Sequence, residues 1–111
     1  MAKAEKALVD GVALTNALIT YYTATAPVRR AVAKDITICN TDTVAHTVTI
    51  NVIKPAGTAG VLNTQYSQVT IQAGETKTFG RSRVIAVGGF IQAKADAGAL
   101  VSLSIDGYEV T

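Results

Sequence analysis

Between Asp35 and Lys54 the chain alternates apolar and polar residues twice, with a cluster of turn formers in between. Ile36 and Ile38 fall on one side of an extended chain, Thr37 and Cys39 on the other. Past Asn40-Thr41-Asp42-Thr43, Val48, Ile50 and Val52 share one face, and Thr47, Thr49 and Asn51 share the opposite one. Side chains alternate at period two along a strand, so this stretch predicts an antiparallel hairpin with a dry face and a wet face. Weaker versions of the pattern predict strands over 9–14, 18–23, 28–40, 45–54, 63–71, 76–79, 84–87, 90–95 and 100–105. Pro27, the loop Pro55–Gly60, Gln72–Glu75, Gly88-Gly89 and Asp96-Ala97-Gly98 punctuate them.

Strands about ten residues apart with turn signals between them predict an all-β fold. The expected form is a two-sheet antiparallel sandwich, jelly-roll-like, rather than a closed barrel. Ile36, Ile38, Val48, Ile50, Val52, Leu103 and Ile105 are its predicted core. Residues 1–7, rich in Ala, Lys and Glu, are too short for a stable helix and read as a polar N-terminal arm, with 8–111 as a single β-sandwich domain.

Composition narrows the function classes. The chain has 111 residues, 49% hydrophobic but only 5% aromatic, so the core is built from Val, Ile, Leu and Ala. Charged residues are 16%, fewer than the quarter or so usual in soluble domains. Sparse charge suits a subunit whose flanks are covered by neighbours. The net charge of +2 comes from scattered Lys and Arg, without the aromatic and basic interleaving of a nucleic-acid platform. No apolar run approaches the ~20 residues of a membrane-spanning helix, and the N-terminus lacks the apolar stretch of a signal peptide. Nucleic-acid and membrane partners are therefore not expected, and synthesis is expected in a reducing cytoplasm.

Candidate chemistry is thin. Cys39 is the single cysteine and reads as a half-buried thiol on a strand. His46, the single histidine, reads as a solvent-facing residue at a strand end. It could be grouped with a serine and Asp35 or Asp42, but no Gly-x-Ser-x-Gly elbow accompanies it. Asp106 and Glu109 read as a solvated strand end, and Gly57, Gly60, Gly88 and Gly89 as turn residues, since no Gly-Lys-Ser/Thr follows them. No catalytic residue, metal ligand or cofactor site is expected, and the chain is not expected to be an enzyme. The interface candidates are Arg29, Arg30, Arg81 and Arg83, which can meet carboxylates of a neighbour, and Tyr21 and Tyr22, whose amphipathic rings suit contacts.

The succession Leu-Ile-Thr-Tyr-Tyr-Thr-Ala, Asp-Ile-Thr-Ile-Cys-Asn-Thr-Asp, His-Thr-Val-Thr-Ile-Asn-Val, Val-Thr-Ile-Gln-Ala-Gly-Glu-Thr, Phe-Ile-Gln-Ala-Lys-Ala-Asp and Val-Ser-Leu-Ser-Ile-Asp-Gly-Tyr-Glu-Val carries a resemblance. Over residues 15–111 it resembles the small β-sandwich structural proteins of tailed-bacteriophage heads, necks and tails. Members often carry Gly-Asp before the Ile-Gln-Ala-type strand, where this chain has Gly88-Gly89-Phe90. The resemblance implies a virion role without catalysis. The expected function is a capsid decoration or cement subunit, forming a homotrimer and contacting the major capsid protein or other virion proteins. The alternatives are a neck, tail or fibre-attachment subunit, and a small carbohydrate-binding sandwich. The absence of Trp weighs against the last.

Overall fold

A computed structural model describes residues 3–60, 64–96 and 100–111, with the side chains of residues 65–68 and 81 left aside. Eight strands follow in order: β1 (Lys3–Ala13), β2 (Ile19–Thr23), β3 (Arg30–Asn40), β4 (His46–Ile53), β5 (Thr64–Ile71), β6 (Thr76–Ala86), β7 (Phe90–Ala95) and β8 (Val101–Val110). They form two four-stranded sheets, ordered β1-β8-β3-β6 and β2-β7-β4-β5, and every pairing is antiparallel. This is the strand order of an eight-stranded jelly roll, as the strand spacing predicts.

The core forms because each sheet turns one alternate set of side chains inward. Ile36, Ile38, Leu103 and Ile105 come from the first sheet, and Val48, Ile50 and Val52 from the second. All seven are buried, as predicted. Leu14, Ile71, Ile85 and Ile91 complete the layer between the sheets.

Pairing differs from expectation. Asp35–Lys54 is not a hairpin, because β3 pairs with β6 and β8 while β4 pairs with β5 and β7 in the other sheet. Residues 41–45 carry the chain across the sandwich instead. Period two shows which side of a strand is dry, but both sheets of a sandwich have a dry side. The pattern is therefore the same whether consecutive strands pair or face each other.

The N-terminal arm is also revised. From Lys3 onward the segment is the first half of β1, in register with β8 from Lys3↔Val110 to Ala7↔Asp106. Its alanines give no strong strand signal, and the backbone hydrogen bonds to β8 decide the matter. Likewise, the strands expected over 76–79 and 84–87 merge into one that ends at Ala86, with Gly80 inside it and a register shift beside it. β8 runs on through Asp106-Gly107, a pair that reads locally as a turn. Gly107 is needed there for closeness: a Cβ on it would overlap the Val32 carbonyl oxygen of the adjoining strand.

Candidate functional site

Four connections meet at one end of the sandwich: 14–18, 41–45, 72–75 and the one after β7. Backbone hydrogen bonds tie them together. Ala95 N–H donates to the Thr15 carbonyl, Thr41 N–H to Leu100 and Asn40 N–H to Glu75. Buried Asn40 shapes the 41–45 loop. Its Nδ2 donates to the Val44 carbonyl at 2.9 Å and the Ile71 carbonyl at 3.0 Å, and its Oδ1 accepts the Asp42 N–H at 2.9 Å. An Asn side chain standing in for backbone partners holds a turn in this way.

That turn delivers Asp42 to His46. The His46 Nε2 lies 2.7 Å from Asp42 Oδ2, and its Nδ1 lies 2.7 Å from Asp96 Oδ1 at the end of β7. The ring is only 8% exposed, so the expected solvent-facing histidine is instead an inward clasp between two loops. A neutral imidazole has a single N–H, and both ring nitrogens face carboxylate oxygens. The geometry therefore selects the imidazolium. The Asp42 hydrogen bond, then that from Asp96, raises the His46 pKa above its ordinary value, against the opposing effect of desolvation. In turn His46, followed by the Thr43 N–H, lowers the Asp42 pKa. Beside the clasp is a shallow groove of about 240 Å³ lined by Asn16, Thr47, Thr49, Lys94, Ala95 and Asp96.

Exposed apolar side chains occur at this end of the sandwich. Val44 sits between Asp42 and His46 in sequence and is 56% exposed. Leu100, whose carbonyl accepts from the Thr41 N–H and Oγ1, is also exposed, as are Leu18 and Ile19 at the start of β2.

The predicted interface residues divide. Arg29, Arg30 and Arg83 are exposed near the opposite end, where Arg83 and Lys54 flank a groove of about 120 Å³ between β6 and the end of β4. Among the described residues none of these four cations has an ion pair. Arg81 has its side chain outside the described residues. Tyr21 is half-buried, and its hydroxyl is enclosed without a hydrogen-bond partner among the described residues; burial raises its pKa. Tyr22 is not an interface residue. Its ring is in the core, and its hydroxyl donates to Glu109 Oε2 at 2.5 Å. Lys6 Nζ reaches Glu109 Oε1 at 3.4 Å. Tyr22 faces inward because its strand turns alternate residues to the core, which puts only one of the adjacent tyrosines within reach of Glu109. Cys39 is half-buried, as expected.

Sequence reasoning missed His46, Asp96 and Asn40. The one local signal was the i, i+4 spacing of Asp42 and His46 across a turn. Asp96 comes from 50 residues away and leaves no local trace. Among the described residues no group of three His, Cys, Asp or Glu side chains is placed to share a metal ion. The two aspartates sit on opposite sides of the imidazole.

No family model and no curated protein matches the chain. Among solved structures, a chain in the structure of infectious bursal disease virus, Gx strain, is similar at 14% identity and a TM-score of 0.47. The match covers 97% of this chain and 30% of that one, and at this level it says nothing about what the present chain does.

Proposed function

We propose that this chain is a non-enzymatic structural subunit of a virion, in the first place a decoration or cement subunit on a tailed-phage head. The observation that carries the reading is the set of exposed apolar side chains Leu18, Ile19, Val44 and Leu100 at the end of the sandwich where the Asp42–His46–Asp96 clasp sits. The sequence resemblance over residues 15–111 supports the virion setting. In this reading that end lies against the protein shell and the subunits work as a homo-oligomer. Burying such side chains across a joint between shell subunits stabilises the joint by roughly 25 cal/mol per Å² of apolar surface removed from water.

The test is binding of the purified protein to particles stripped of it, with the copy number in native particles measured by quantitative mass spectrometry. Val44→Asp and Leu100→Asp should leave the fold intact and reduce binding at least tenfold. Hundreds of copies per particle support decoration, and a dozen or fewer would place the subunit at the neck or tail. Absence from particles would overturn the virion reading.

A further inference from the structure

The outer face of the β1-β8-β3-β6 sheet is unlike an ordinary solvated face. Ala31 and Ala33 belong to the core between the sheets, so Val32, between them, points the other way. Cross-strand partners share a face, which puts Val84 and Tyr108 beside Val32, and Val110 and Ala86 beside Arg30. Val32 and Val110 are buried yet stand outside the inter-sheet core. Val84 is 61% exposed, the most exposed large hydrophobic residue described. This row, two residues in from the Arg30 end, is therefore apolar except for Glu5, the β1 partner of Tyr108.

On either side of the Val32 row the charge changes sign. Arg30 lies at one end, with Lys3, whose Nζ sits 4.2 Å from the centre of the Tyr108 ring. Midway along β3 and β8, Asp35 faces Asp106 directly, with Lys34 lining the same cleft of about 150 Å³ and Glu5 reaching it from the Tyr108 row. Like charges opposite one another in a sheet destabilise it unless something neutralises them. Among the described residues neither aspartate, nor Glu5, nor Arg30 has an ion pair. Arg30 and Asp35 are five positions apart on β3, about 16 Å along a strand.

We infer that this face packs against the same face of a second copy about a two-fold axis. Resting on the structural-subunit reading, the inference names the surface through which the subunit meets itself. A patch that is basic at one end, apolar in the middle and acidic at the other is complementary to itself when turned by 180°. The rotation brings Arg30 of each copy to the Asp35–Asp106 pair of the other and lays Val84 and Tyr108 over their counterparts. A four-stranded face about 20 Å across buries on the order of 1,000 Å² in total, at the low end for specific association. The dimer is accordingly weak, with a dissociation constant in the micromolar range, and depends on salt.

Analytical ultracentrifugation of the full chain from about 5 to 500 μM tests this, with thermal unfolding as a control for folding. The wild type should pass from monomer to dimer, and Val84→Asp or Arg30→Glu should each raise the dissociation constant at least tenfold. Asp35→Arg should do the same. Mixing the Arg30→Glu and Asp35→Arg proteins should restore a dimer, because each contact then joins opposite charges. A monomer throughout, a trimer indifferent to these substitutions, or failure of the mixture to recover would overturn the inference. None of these outcomes depends on particle binding, so the dimer contact and the virion role stand or fall separately.

Discussion

Two polar clasps hold this sandwich together, and they work differently. Asp42–His46–Asp96 joins loops at one end. Tyr22–Glu109–Lys6 joins the two sheets, since Tyr22 is on β2 and Glu109 and Lys6 are on β8 and β1. The tyrosine clasp combines a buried ring with one charge-assisted hydrogen bond. Burial first, and then Glu109, pushes the Tyr22 pKa far above the ordinary tyrosine value, so its hydroxyl stays a donor across the neutral range. The histidine clasp has no apolar mass to speak of and depends on a proton. A contact between sheets thus rests on packing, whereas a contact between loops at one end rests on protonation.

The tyrosine clasp should show the largest effect. Tyr22→Ala removes a buried aromatic ring from between the sheets and should destabilise the fold by about 3–5 kcal/mol. Ile50→Ala, a cavity at the centre of the second sheet, should fall close behind at about 2–5 kcal/mol. Tyr22→Phe keeps the ring and removes only the charge-assisted hydrogen bond, so about 1.5–3 kcal/mol is expected. Denaturant titration measures all three. If Tyr22→Phe cost as much as Tyr22→Ala, the clasp would rest on its hydroxyl and the contrast drawn above would fail.

The histidine clasp should be visible by titration. Its folded pKa is raised above the unfolded value of 6.5, so its contribution is complete below that pH and lost as pH rises through the raised value. The Asp42 pKa is lowered below 3.8, so that contribution is complete above the ordinary value and lost as pH falls through the lowered one. Proton NMR of the His46 ring should show the raised pKa, and Asp42→Asn should lower it more than Asp96→Asn, since the Asp42 hydrogen bond is the largest cause. A titration at or below 6.5 in the wild type would remove the clasp from the argument. Because Val44 lies between the clasp residues in sequence, particle binding should weaken above the His46 pKa while Tyr22→Phe leaves that pH profile unchanged. The smallest effect is expected from Lys6→Ala, below about 0.5 kcal/mol, because its side chain is 48% exposed and its ion pair with Glu109 is solvated.

How much of this was legible depends on range. Alternation at Ile36/Ile38 and Val48/Ile50/Val52 is a local property of the chain, and it identified core residues correctly because a strand's two faces are set by its own pleat. The strand expected over 100–105 runs on to Val110, because pairing with β3 continues past Asp106-Gly107 and only a glycine allows the close approach of Val32 there. Lys3–Ala7 misled: alanine and lysine carry little strand preference, yet β8 offers backbone partners along their whole length.

By itself the sequence determined that this is an all-β chain, which residues are dry, and where most turns fall, because these follow from period-two alternation and the φ/ψ limits of Pro and Gly. Which strands pair was left to the tertiary structure, because a dry face is satisfied equally by a partner in either sheet. The same holds for His46. Its burial and its charge depend on Asp42 and Asp96 arriving from two separate connections, and only the closing of the sandwich brings the three together.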